Sequence, residues 1–167
     1  MHVLVTAASK HESTAEIADA IAASLRAAGI TVDRSPPDQI ASVDGYDAVV
    51  VGSGVYAGRW LDPARAFVER HTDALRRRPV WVFSSGPLGD PPLPADPSAD
   101  GVSLADRIGA REHRTFSGRL DPGRLGFLER TVVKAFRAPA GDSRDWDAIR
   151  TWGTEIAGLL AATAKGG

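Results

Sequence analysis

Residues 3–14 read VLVTAASKHEST, a short apolar strand that runs into a hydroxyl-rich loop. A helix is predicted to follow directly, because Ile17, Ile21 and Leu25 recur at helical spacing. A loop between a strand and a helix presents backbone N–H groups and the positive end of the helix dipole, and both favour an anion. The stretch therefore predicts a phosphate-binding loop. The alternative is an ordinary strand-to-helix turn, since Ser13 to Glu16 also form a capping-box pattern.

The composition fits one domain that spans residues 1–167. With 43% hydrophobic residues, the chain can bury a core of ordinary size. Its 20 basic and 21 acidic residues nearly cancel, so we expect no binding of nucleic acid. The lack of cysteine excludes disulfides and thiolate metal sites, and the 4 histidines lack metal-ligand spacing, so no metal is predicted. With no leader-like or membrane-spanning apolar run, the expected location is the cytoplasm.

Apolar strands alternate with helical patterns along the chain. Strands are predicted at about 3–6, 31–34, 48–51, 80–83 and 113–116. One helix is predicted to start with Asp62 as its cap and to end near His71, and another begins at Trp146. The alternation predicts an α/β fold, a doubly wound five-stranded parallel sheet with helices on both faces. Ligands bind such sheets at the carboxyl ends of the strands, where we expect the loops 9–14, 53–60 and 84–90 to meet.

The stretch 118–145 exceeds what a minimal sheet of this kind needs. It alternates apolar and basic side chains, which predicts an added amphipathic helix before the last helix. The residues concerned are Leu125, Leu128, Val132, Val133 and Phe136 beside Arg124, Arg130, Lys134 and Arg137. This helix either packs on the domain with a solvated charged face or makes a peripheral contact with an anionic membrane through residues 124–137. Beyond it, Asp142, Arg144 and Asp145 are expected to cap the last helix and form a local ion pair.

Several stretches together resemble the flavodoxin-like family. They are Ser13-Thr14, VGSGVYAGRW at 51–60, FSSGP at 83–87, FSGRLD at 116–121 and GDSRDW at 141–146. The last two flank the added helix, where the chain is similar to the menaquinone-dependent protoporphyrinogen dehydrogenase type of flavodoxin-domain protein. The resemblance implies an FMN-dependent oxidoreductase that passes electrons from a porphyrinogen-like or other small-molecule substrate to a quinone.

The resemblance also implies where one non-covalent FMN would bind. The phosphate would be held by Ser9, Lys10, His11, Ser13 and Thr14. One side of the flavin ring would lie along Gly54, Val55, Tyr56, Ala57, Gly58 and Trp60, and the other along Ser85, Gly86, Pro87, Leu88 and Gly89. Chemistry would belong to the flavin, so no catalytic side chain is named. Tyr56 and Trp60 are alternative aromatic neighbours of the ring, and either could instead pack against the following helix.

One position departs from the family pattern. Glu12 stands where the phosphate loop of the family usually has glycine, and a carboxylate beside a phosphate is repulsive. Glu12 either points to solvent, with Lys10 and His11 compensating, or marks weak FMN binding, another ligand or a lost cofactor. Two further function classes therefore stay open beside the oxidoreductase, a soluble electron carrier without its own substrate and a binding module that has lost FMN.

Overall fold

Five parallel strands form the centre of the computed structural model, which describes residues 1–86, 98–120 and 141–166. In chain order the strands are β1 (His2–Ala8), β2 (Thr31–Arg34), β3 (Ala48–Tyr56), β4 (Arg59–Trp60), β5 (Val80–Ser85), β6 (Glu112–Phe116), β7 (Arg119–Leu120) and β8 (Gly141–Asp142). The parallel order is β2-β1-β3-β5-β6, while β4 pairs antiparallel with β3. β7 and β8 form a separate antiparallel ribbon. The strand order reverses direction between β1 and β3, which is where sheets of this kind bind ligands.

Helices cover both faces of the sheet. They are α1 (Ser13–Ala27), α2 (Asp62–Arg70), α3 (Thr72–Arg76), α4 (Ala99–Ile108) and α5 (Trp146–Lys165), with a short 3-10 helix at Pro37–Gln39. α1 and α5 pack on one face, and α2, α3 and α4 pack on the other. Within the described parts of the chain, no helix combines the length and the apolar character needed to cross a membrane.

The pleat of each strand divides the core between the two helical layers. In β1, Val3 and Val5 point towards α1 and α5, whereas Leu4 points towards α2. Phe83 of β5 makes an edge-to-face contact with Trp152 of α5 at 6.1 Å between ring centroids. The neighbouring position in β3 must be glycine, because a Cβ on Gly52 would lie 2.2 Å from the Phe83 ring. The predicted five-stranded sheet with two helical faces is confirmed.

Three local predictions are wrong. The N-cap of α1 is Glu12, and no side chain caps this helix, so Ser13 to Glu16 do not form a capping box. Leu61 rather than Asp62 is the N-cap of α2, and Asp62 is its first residue. Residues 53–60 are not a loop, because β3 continues to Tyr56 and returns as β4.

Other predictions concern residues that the structure does not describe. The amphipathic helix expected within 118–145 has its apolar and basic positions at 124–137, outside the described residues. Pro87, Leu88 and Gly89 of the third loop also lie outside them.

Candidate functional site

The segments that follow β1, β3 and β5 meet at one edge of the sheet. Gly54 of β3 faces the start of α1 so closely that an added Cβ would lie 3.2 Å from Thr14 Oγ1. Gly86, after β5, approaches β3 in the same way, since its Cβ would lie 2.9 Å from the carbonyl oxygen of Val55. The structure therefore brings the described residues of the three predicted ligand segments together.

The first segment contains a buried serine hydroxyl that lacks a hydrogen-bond partner in the described structure. Ser9 Oγ is shielded from solvent and has no hydrogen-bond partner in the described structure. Buried polar atoms are almost always paired, so an unpaired one beside a helix N-terminus suits an incoming acceptor. A phosphate group would provide that acceptor. Ser9 therefore fits its predicted place in a phosphate site.

The N-terminal residue of α1, Ser13, is held from two sides by residues near the ribbon β7–β8. Its Oγ accepts the backbone N–H of Arg119 at 3.2 Å. Its carbonyl oxygen accepts a bond from Arg144 Nη1 at 3.3 Å. Ser13 is the first residue of α1 rather than its N-cap, which is why the predicted capping box is absent. The following residue, Thr14, is buried.

The second segment is a β-hairpin with a two-residue turn. Ala57 and Gly58, at φ 50° and 76°, form the turn, and Tyr56 pairs with Arg59. Both positive angles are typical of a type I′ turn, which matches the twist of the paired strands. The hairpin extends β3 beyond the sheet at the predicted ligand edge.

The structure separates the two aromatic candidates. Tyr56 is 39% exposed, and Lys10 Nζ lies 4.5 Å from its ring centroid. Trp60 is only 2% exposed, and its indole N–H donates to Ser84 Oγ at 2.8 Å. Tyr56 is thus the more exposed aromatic side chain of this hairpin, while Trp60 packs in the core against β5 and α4.

The third segment is closely packed where it is described. Ser85 is buried at the end of β5. Gly86 is also approached by Gly118, whose Cβ would lie 3.3 Å from Gly86 Cα. The start of the 118–145 stretch therefore borders the same edge of the sheet.

A buried polar relay lies beneath the hairpin. Trp60 Nε1 can only donate, so Ser84 Oγ accepts that bond, and the same oxygen shares a second hydrogen bond of 2.8 Å with His113 Nε2. Burial lowers the pKa of His113, and the nearby Asp106 carboxylate opposes this only in part. Gly101 of α4 packs directly against this relay, because a Cβ at that position would lie 2.7 Å from Ser84 Oγ.

An ion cluster joins the ribbon to the first turn of α1. Arg144 pairs with Asp142 through two bonds of 2.8 and 2.7 Å, which confirms the predicted local pair. It also bonds Glu16, to which Arg119 contributes a second contact at 3.6 Å. The hydrogen bond to Asp142 raises the pKa of Arg144, and the same bond lowers the pKa of Asp142. The predicted cap by Asp145 is confirmed as well, since its carboxylate accepts the N–H of Ala148.

Sequence reasoning missed Glu16 and Arg119 as members of this cluster. The sequence did contain one signal for the cluster. Charged residues flank the helix predicted within 118–145, namely Arg119 before it and Asp142-Ser143-Arg144 after it. Arg119 and Arg144 share Glu16 as a partner, which lies more than a hundred residues before both of them in the chain. For a metal, the described residues contain no group of three or more His, Asp or Glu side chains suited to ligation.

A protein-family model described as flavodoxin domain matches residues 4–147. The chain belongs to the flavodoxin domain family. This agrees with the parallel sheet, its strand order and the position of the candidate site. The narrower protoporphyrinogen dehydrogenase type stays a prediction.

Solved structures share the fold of this flavodoxin domain at low sequence identity. A flavodoxin from the domain Archaea is 14% identical, with 96% of this chain and 99% of that chain covered and a TM-score of 0.67. A flavodoxin of Streptococcus pneumonia TIGR4 is 20% identical, with 98% and 99% covered and a TM-score of 0.61. Rubredoxin oxygen:oxidoreductase from Desulfovibrio gigas is 15% identical at a TM-score of 0.68, and the match covers 96% of this chain but 36% of that one. A search of curated protein sequences found no match.

Proposed function

We propose that this flavodoxin domain binds FMN at the carboxyl edge of its sheet and acts as a redox protein. The observation that carries the proposal is Ser9 Oγ, a buried hydroxyl without a partner in the loop that leads into α1. A phosphate placed there would accept from Ser9, from Ser13 and from backbone N–H groups of the first turn. Lys10 would add positive charge from the same loop, and His11 would add a polar ring beside it.

The protein's own contribution is binding and orientation. Tyr56 has an exposed aromatic face next to the phosphate loop, on which a flat ring can stack. Gly54 and Gly86 keep the backbone of β3 and β5 close to each other and to α1, so that side chains do not fill this edge. FMN, when bound, supplies the electron-transfer chemistry.

The first experiment is a fluorescence titration of the purified protein with FMN and with riboflavin. We expect saturable binding of FMN and weaker binding of riboflavin, because only FMN offers a phosphate to the loop. Ser9→Ala should weaken FMN about tenfold and leave riboflavin nearly unchanged, as expected for one lost bond to a charged group. Ser42→Ala, an exposed serine before β3, is the matched control and should have no effect. Equal affinity for both ligands would contradict a phosphate-reading site.

For the reaction, we propose an oxidoreductase that passes electrons from a porphyrinogen-like or other reduced small molecule to a quinone. Support comes from the resemblance at residues 116–121 and 141–146, whose described parts contact the start of α1 and Gly86. The FMN-loaded protein should oxidise a porphyrinogen with a soluble quinone as acceptor. Reversible reduction without quinone turnover would instead favour an electron carrier.

We also propose a cytoplasmic protein that contacts anionic membranes through residues 124–137. This stretch carries four basic residues and one acidic residue, Glu129. Co-sedimentation with anionic but not with neutral vesicles, abolished at high salt, is the expected result. Equal sedimentation with both kinds of vesicle would contradict it.

A further inference from the structure

The ion cluster around Arg144 contains more charge than a local helix cap requires. The Arg144 side chain is only 2% exposed, and its guanidinium lies 4.4 Å from the ring centroid of Trp146. It contacts two carboxylates, Asp142 and Glu16, and the carbonyl oxygen of Ser13. A buried guanidinium is costly unless it is fully paired, so these contacts fix the positions of their members.

The cluster reaches the phosphate loop through Ser13. Arg144 Nη1 donates to both the Ser13 carbonyl oxygen and the Glu16 carboxylate, so one guanidinium group links Glu16 to the first residue of α1. The N–H of Arg119 is donated to Ser13 Oγ. A hydroxyl that accepts this bond still has its one O–H to donate, which is what a phosphate oxygen requires.

The charges of the cluster balance. Glu16 is an acidic residue in the first turn of α1, and its carboxylate meets Arg144 and, at 3.6 Å, Arg119. Without these cations, a carboxylate this close to the helix start would repel a phosphate dianion through partly buried surroundings, where screening is weak. Asp142 completes the balance on the other side of Arg144.

Resting on the FMN site proposed above, we propose that Arg144 is a positioning residue that makes the loop select a phosphorylated flavin. It neutralises Glu16 and, with the backbone of Arg119, holds Ser13 with its hydroxyl free to donate to phosphate. The base of the 118–145 stretch is therefore part of the phosphate site, although none of its side chains needs to touch the ligand.

The test compares FMN and riboflavin affinities, because a merely structural role would alter both. Arg144→Gln should lower the preference for FMN over riboflavin about tenfold, which corresponds to about 1.4 kcal/mol, because Glu16 then loses its closer cation and keeps the 3.6 Å contact with Arg119. Adding Glu16→Gln in the same chain should restore most of the preference, and Arg144→Lys, which keeps the charge, should retain it. Circular dichroism of each variant checks that it is folded.

Glu16→Gln alone keeps the test informative if Arg144 variants fail to fold. The Glu16 side chain is 40% exposed, and Arg144 retains Asp142, so this variant should fold and bind FMN about threefold more tightly, with riboflavin unchanged. Parallel changes for both ligands, or no rescue in the double variant, would overturn the inference while leaving the FMN site intact. A native chain that binds neither flavin would overturn the proposed function and this inference with it.

Discussion

Glu12 combines an exposed side chain with a backbone conformation that suits glycine. Its φ of 65° is in the left-handed region, which costs a residue with a Cβ about 1 kcal/mol or more. Its carbonyl oxygen still accepts the N–H of Glu16, so the conformation serves the start of α1. Glu12 is an exposed residue, which agrees with the interpretation in which its carboxylate points to solvent.

Two substitutions separate strain from charge at this position. Glu12→Gly should raise the free energy of unfolding by about 1 kcal/mol, because glycine adopts a positive φ without steric cost. Glu12→Gln keeps the strain and should change neither the stability by more than about 0.5 kcal/mol nor the FMN affinity by more than about threefold. Urea unfolding and FMN titration measure the two effects. A large gain in FMN affinity with glutamine would show that the carboxylate acts on the ligand after all.

At the scale of elements, the β3–β4 hairpin holds Tyr56 at the candidate site and is itself held by α4. Ser98 Oγ donates to the carbonyl oxygen of Gly58, and Asp100 accepts the N–H of Trp60. Ala57→Asn should stabilise the turn, because asparagine followed by glycine is the preferred type I′ pair. We expect a gain of about 0.5 kcal/mol in the free energy of unfolding by urea. Ala57→Val, which introduces a β-branched residue at positive φ, should destabilise by about 1 kcal/mol or more, and equal stability of the two variants would contradict the assignment.

The central strands were predictable because they are buried on both faces. Continuous apolar runs such as 48–51 and 80–83 are apolar on both faces of the strand, so they are buried between two helical layers. The hairpin was not predictable from the same signal, since residues 53–60 contain two glycines that are equally typical of a loop. α4 was missed, although Leu104 and Ile108 at helical spacing and Gly109 after them indicate a helix and its end.

The candidate site was predictable as a meeting of loops but not in its bonding. The sequence placed Ser9 and Ser13 beside a helix start, which required only local patterns. The pairing of Glu16 with Arg144 depends on how the ribbon β7–β8 packs against α1, and no local pattern contains that information. Glu16, which the local pattern placed in a capping box, pairs with Arg144 instead.

For the whole molecule, the relay Trp60–Ser84–His113 ties the hairpin to β5 and to the edge strand β6. Its members come from β4, β5 and β6, and α4 covers them. Burial lowers the pKa of His113, so the stability of this part of the core is coupled to the charge of that histidine.

This coupling predicts how stability depends on pH. Burial lowers the pKa of His113 in the folded chain, so the unfolded chain takes up its proton first as pH falls below about 6.5. The free energy of unfolding should therefore be constant above that pH and decline below it, down to the folded pKa. Burial also lowers the pKa of His71, so this residue contributes to the decline in the same direction. The experiment must therefore change one histidine at a time. His113→Gln should flatten part of the decline below about pH 6.5 in urea unfolding, and an unchanged slope would show that His113 is not the group that titrates.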